Sequence, residues 1–162
     1  MEDRENDMTL IEAGVDAPDF SLKNDEGADF HLTDLRGFVR AMLIFYPKDF
    51  TPGCTDQLIQ VRKNLEHLRG AGIEPIGVNP DDAESHKAFR KEHGLTFDLL
   101  IDEDARVANS YGAIKPGGEG IQRSVVIVGK DGKVIFAEHG APPWQRILSV
   151  MRTTDDVAVP AS

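Results

Sequence analysis

A single cysteine, Cys54, is the most informative shortage in these 162 residues. It excludes an intramolecular disulfide, a Cys-x-x-Cys dithiol centre and a thiolate-rich zinc site, and it fits a reducing compartment. Long apolar runs are missing too, so no stretch reaches the length a bilayer span needs. The segment from Met1 to Asp7 lacks the basic patch and apolar stretch of a signal peptide, and a cytoplasmic location is the expectation. Positive charge is scarce: 18 Lys and Arg stand against 28 Asp and Glu, a formal net charge of −10. No Lys/Arg stripe interrupts that excess, which argues against nucleic acid and anionic membrane surfaces as partners. Repeats and linker-like stretches are also absent. With 40% hydrophobic and 28% charged residues, the expectation is one folded domain over 1–162, with loose tails at 1–10 and 153–162.

What the chain does contain is a regular alternation of short apolar runs and amphipathic stretches. Ala17 to Leu22 and Ala28 to Leu32, joined through Asn24-Asp25-Glu26-Gly27, read as a hairpin. A helical turn at Thr33 to Gly37 leads into an apolar strand from Val39 to Tyr46. Leu58, Val61, Leu65 and Leu68 then recur at helical spacing over a helix at 54–69, stopped at Gly70. Ile73 to Val78 is the next strand, and Pro75 within it calls for an interruption or an unpaired N–H. Asp81 and Glu84 have capping-box spacing and open a helix to His93-Gly94. A strand at Phe97 to Ile101 and a short helix from Asp102 to Gly112 follow. After a Pro/Gly loop, the strands Arg123 to Val128 and Lys133 to Ala137 flank an Asp-Gly turn, and a helix from Pro143 to Met151 closes the series. Parallel strands with crossover helices, then an antiparallel pair and a helix, describe an α/β, thioredoxin-like fold. Its central mixed sheet is flanked by helices and preceded by the N-terminal hairpin.

Cys54 sits where the Val39–Tyr46 strand feeds the following helix. Thr51 is placed as the N-cap, Pro52 at the first helical position and Cys54 in the first turn. Free N–H groups and the positive end of the helix dipole favour a thiolate there. The end of a central strand is also where open α/β sheets put ligands. Free cysteines are nonetheless among the most buried residues, so position alone leaves open a passive thiol in a non-catalytic binding or peroxide-sensing module.

The residues around Cys54 decide between these. Pro47-x-x-x-Thr51-x-x-Cys54 resembles the active-site signature of the peroxiredoxins, and the whole string Phe45 to Thr55 resembles that of their bacterioferritin comigratory, or Q-type, branch. The resemblance extends over residues 10–150. Ala17-Pro18-Asp19-Phe20, Ile76-Gly77-Val78, Leu99 to Asp102, Tyr111-Gly112 and Arg123 to Ile127 each look like family segments. It implies a thiol peroxidase in antioxidant defence, working without metal, haem or flavin. By matching position, Cys54 is the peroxidatic nucleophile, Thr51 offers its hydroxyl to the peroxide, Pro47 shields the pocket and Arg123 holds thiolate and peroxide. The partners implied are a hydroperoxide, hydrogen peroxide or organic, and a thiol reductant: thioredoxin, glutaredoxin or a low-molecular-weight thiol. Monomers and homodimers both occur among such relatives.

Two departures from the family pattern stand out. Many Q-type members carry a resolving cysteine five residues after the first or in the next helix; here Ile59 occupies the first position and the chain has no second cysteine. This is a 1-Cys form, whose sulfenic acid needs an external thiol. Gln57 stands where relatives often have glutamate.

The remaining candidates read as structural. His86 and His93 lie seven apart on one helix with no completing ligand set, and surface histidines are the expectation. Gly118-Glu119-Gly120 is half a nucleotide fingerprint ahead of a strand. The Trp144, Ile147, Leu148, Met151 stripe reads as core packing, and the acidic clusters at Asp81-Asp82 and Asp102 to Asp104 as helix N-terminal charge.

Overall fold

A computed structural model describes residues 9–154. Strands β1 (Ser21–Asn24) and β2 (Asp29–His31) form the expected hairpin, and a 3₁₀ turn (Leu32–Leu35) leads into β3 (Arg40–Phe45). Helix α1 (Pro52–Lys63), helix α2 (Leu65–Gly70) and β4 (Ile73–Asn79) follow. Then come α3 (Ala83–His93), β5 (Leu99–Ile101), a second 3₁₀ turn (Glu103–Ala105), α4 (Arg106–Tyr111), β6 (Ser124–Val128), β7 (Val134–His139) and α5 (Trp144–Arg152). The strands form one sheet in the order β2-β1-β5-β4-β3-β6-β7. β3 pairs parallel with β4, and β4 with β5, whereas β1–β5, β3–β6 and β6–β7 pair antiparallel.

β3 is apolar throughout because both its faces are covered. Ala41, Leu43 and Phe45 pack with Phe20, Leu22, Val107 and Tyr111 on one side. Met42, Ile44 and Tyr46 pack on the other, beneath Cys54 and Leu58 of α1, Leu68 of α2, Phe89 of α3 and Ile147 of α5. Truncating any of these large buried side chains to alanine would cost about 2–5 kcal/mol. Pro75 lies inside β4 opposite Met42, but β5 joins β4 only from Gly77 onward. The missing N–H therefore points where there is no strand to receive it.

Three details differ from the sequence reading. The 54–69 helix is broken at Asn64, whose φ of −114° and ψ of 18° leave the helical region and whose Nδ2 donates to the Gln60 carbonyl at 2.8 Å. Such local side-chain bonds compete with the helix ladder. Helix α3 is capped by Asp82, which accepts from the Ser85 N–H at 2.9 Å; Asp81, the expected cap, turns instead toward the loop after β3. Leu10, assigned above to a loose arm, is buried in the core, and Ile11 N–H donates to the Tyr111 carbonyl at 3.0 Å. The remainder of that arm, 1–8, and residues 155–162 of the expected C-terminal tail lie outside the described residues.

Candidate active site

The site is assembled at the C-terminal end of β3. Tyr46 extends the strand, its N–H donating to the Val78 carbonyl at 3.3 Å, and its ring lies over β4 where Gly77 leaves room. A Cβ at Gly77 would come within 3.1 Å of the Tyr46 ring and 2.5 Å of Leu99. The chain then turns through Pro47 to Thr51. Phe50 has a φ of +68°, a conformation that costs a side-chain-bearing residue about 1–3 kcal/mol, and its ring packs 5.0 Å from that of Phe89 on α3.

Thr51 is the N-cap residue of α1 and Pro52 follows at the start of the helix, as the sequence predicts. Its hydroxyl does not cap. Thr51 Oγ1 donates to the Lys48 carbonyl at 2.9 Å, closing the loop on itself, while the Thr51 carbonyl receives the Thr55 N–H at 2.8 Å. Cys54 is only 1% exposed, under the first turn and against Tyr46 and Leu58. Pro47 is half-buried in the same loop.

Arg123 arrives from β6. The antiparallel register sets Ser124 opposite Phe45, so Arg123 lies one residue beyond the end of β3, level with the start of the loop. Its Nη1 donates to Gln57 Oε1 at 2.9 Å. A Cβ on Gly53 would meet Arg123 Nη2 at 3.0 Å, so the guanidinium rests on the turn that carries Cys54. Behind Gln57, between α1 and α5, lies a cavity of about 280 Å³ lined by Met42, Ile44, Val61, Trp144 and Ile147.

A polar cluster that the sequence reading did not anticipate fastens the loop from below. Asp49, 3% exposed, receives the Tyr46 hydroxyl at 2.5 Å, the Ser85 hydroxyl at 2.7 Å and His86 Nδ1 at 2.6 Å. Its own N–H donates to Asp81 at 2.7 Å, and Asn79 donates to both carboxylates. His86 is fully buried, not a surface histidine. Burial alone would raise the Asp49 carboxyl, yet the bonds from His86 and Tyr46 outweigh it and hold Asp49 below the usual carboxylate range. Burial likewise opposes charge on His86, and Asp49 outweighs it, raising the imidazole. Burial, with the Asp49 charge behind it, pushes the Tyr46 phenol well up. One signal in the sequence does point to His86: it stands three residues before Phe89, on the buried face of α3.

Residues 13–137 match the AhpC/TSA family. The chain belongs to the AhpC/TSA family. This AhpC/TSA chain is 34% identical over 154 residues to the peroxiredoxin Bcp of Bacillus subtilis, covering 91% of itself and 98% of that protein. Its fold is similar to that of peroxidoxin BcpB from Mycobacterium tuberculosis, with a TM-score of 0.81, 22% identity, and coverage of 90% of this chain and 99% of that one. The Xanthomonas campestris bacterioferritin comigratory protein, described for its alkyl peroxide reduction activity, superposes with a TM-score of 0.75 at 27% identity, over 87% and 96% of the two chains. The AhpC/TSA chain is a thiol-dependent peroxidase of thioredoxin-like fold, and its single cysteine fits the 1-Cys mechanism. Among the described residues no helix is long and apolar enough to cross a membrane.

Proposed function

We propose that Cys54 is the peroxidatic nucleophile, with Thr51, Arg123 and Pro47 forming the pocket around it. The thiolate sulfur forms a bond to one peroxide oxygen as the O–O bond breaks. The electron pair of that bond leaves on the second oxygen, which takes up a proton and departs as water or an alcohol, while sulfur is oxidised to the sulfenic acid. Negative charge grows on the departing oxygen, so a fixed guanidinium is worth most in the transition state. The observation that carries this reading is the seat of Arg123 over Gly53, anchored by Gln57. Because the Thr51 hydroxyl spends its proton on the Lys48 carbonyl, its oxygen is free to accept a hydrogen bond from the incoming hydroperoxide. Pro47 shields the loop side.

Hydrogen peroxide and organic hydroperoxides are the proposed substrates, and the apolar cavity behind Gln57 supports room for an organic substituent. The sulfenic acid then condenses with an external thiol, losing water to form a mixed disulfide, and a second thiolate releases Cys54. Thioredoxin, glutaredoxin or a low-molecular-weight thiol would serve, in a reducing, cytoplasmic setting that a lone unpaired cysteine suits. The test is peroxide consumption by Cys54→Ser. Loss of stoichiometric consumption supports the reading, and consumption unchanged from the parent chain sinks it. Mass spectrometry of oxidised Cys54 trapped with candidate thiols identifies the reductant.

A further inference from the structure

We propose that His86 is a positioning residue for Cys54: a buried imidazolium that clamps Asp49 and through it sets the loop that delivers the reactive cysteine. This rests on the reading of Cys54 as the nucleophile.

The two ring nitrogens of His86 face different acceptors. Nδ1 lies 2.6 Å from Asp49 Oδ2, and Nε2 lies 3.0 Å from the Leu100 carbonyl oxygen. A carbonyl only accepts, so Nε2 carries a proton. The carboxylate already receives two hydroxyls and the Asn79 amide, so the remaining proton of the pair lies on Nδ1 or is shared across the short contact. The other titratable groups against this pair are Tyr46, from the end of β3, and Asp81, which itself meets Lys48 at 3.5 Å; Cys54 of α1 lies against Tyr46. Among the described residues, His86 is the only cation that pairs with Asp49 directly. A buried carboxylate stripped of it would stand unpaired, which is the costly half of breaking a buried ion pair.

The consequence travels along the chain by short steps. Asp49 is held at its side chain by α3 and at its backbone by Asp81, and Thr51 is held by its bond to Lys48. Between them Phe50 sits at φ +68°, a strained conformation that persists only where its surroundings over-determine it. Without the clamp, Phe50 relaxes toward negative φ and the first turn of α1 shifts under Arg123. The hydrogen bonds then fasten the loop for orientation and not only for stability.

Three measurements test this. In the reduced wild-type chain labelled with ¹⁵N, His86 should show protons on both ring nitrogens at neutral pH; a bare ring nitrogen there overturns the proposal. His86→Gln should lower the second-order rate constant with hydrogen peroxide about tenfold or more, as misplacement of reacting groups does, and slow alkylation by iodoacetamide less than about threefold, since alkylation needs no oriented pocket. Equal slowing of both, or no change with peroxide, overturns it. Asp49→Asn should resemble His86→Gln, and the double variant should be no slower than the slower single one; full additivity also overturns it. If neither variant folds, the nitrogen resonances of the wild type decide. Peroxide consumption persisting in Cys54→Ser would remove the underlying assignment while leaving the protonation of His86 to be judged separately.

Discussion

Arg123 is tethered to Gln57 by a 2.9 Å hydrogen bond between a guanidinium and a neutral amide. The arginine comes from the start of one strand and the glutamine from the second turn of α1, so one bond joins the elements on either side of Cys54. Arg123→Ala should slow oxidation of Cys54 by hydrogen peroxide about 10²–10³-fold, the usual effect of deleting a fixed donor to developing charge. Gln57→Ala, which leaves the guanidinium in place but untethered, should slow it about three- to tenfold, and Gln57→Glu should restore the tether. Stopped-flow rates on the three variants check the ranking, and a loss under about threefold for Arg123→Ala means that another group binds the peroxide.

Gly53 offers a substitution in which activity and stability should part company. Its Cβ would come within 3.0 Å of Arg123 Nη2, so the guanidinium must retreat by a few tenths of an ångström. Gly53 also lies in the first turn of α1, where alanine is the better helix former by up to about 1 kcal/mol. Gly53→Ala should therefore hold or raise the melting temperature while lowering the peroxide rate constant. A fall in both would show that the glycine is needed for the fold.

The cavity beside Gln57 predicts a change in preference. Val61→Phe fills part of its 280 Å³ without touching Cys54 or Arg123. The rate constant for a tert-alkyl hydroperoxide should drop relative to that for hydrogen peroxide by at least about threefold, within the range that one or two methylenes of pocket space control. An unchanged ratio would place the organic substituent elsewhere.

The buried ion pair gives a stability profile whose sign can be worked out. His86 is raised above 6.5, so its contribution is complete below that pH and is lost as pH rises through the folded value. Asp49 is lowered below 3.8, so its contribution is complete above that pH and is lost as pH falls through the folded value. The urea stability difference between the parent chain and His86→Gln should be largest between about pH 4 and 6.5 and shrink as pH rises above that window. A difference that grows with pH contradicts the charged pair.

The local chemistry around Cys54 was legible because it is written contiguously. Thr51, Pro52 and the apolar spacing from Leu58 set the helix start, and the structure puts them where those rules require. Asn64 was harder, since a side-chain bond to Gln60 breaks a pattern of leucines that itself continues unbroken. The shift of the α3 cap from Asp81 to Asp82 has a tertiary cause: the Asp81 carboxylate is engaged by the Asp49 amide, and Asp49 is thirty-two residues away. His86 reads as a surface residue for the same reason. A histidine on a charged helix looks solvated until its carboxylate partner arrives from another element. Arg123 needed the family resemblance, because spacing alone cannot say which strand start will face which loop.

Arg123 owes its place to the pairing of β3 with β6. Side chains alternate faces along a strand, so a slip of one residue in this ladder would carry Arg123 to the opposite surface of the sheet and leave every helix intact. Circular dichroism would barely notice such a chain. On the role proposed for Arg123, its reaction with peroxide would, which makes turnover a more discriminating assay of correct strand registration during refolding than any measure of secondary structure.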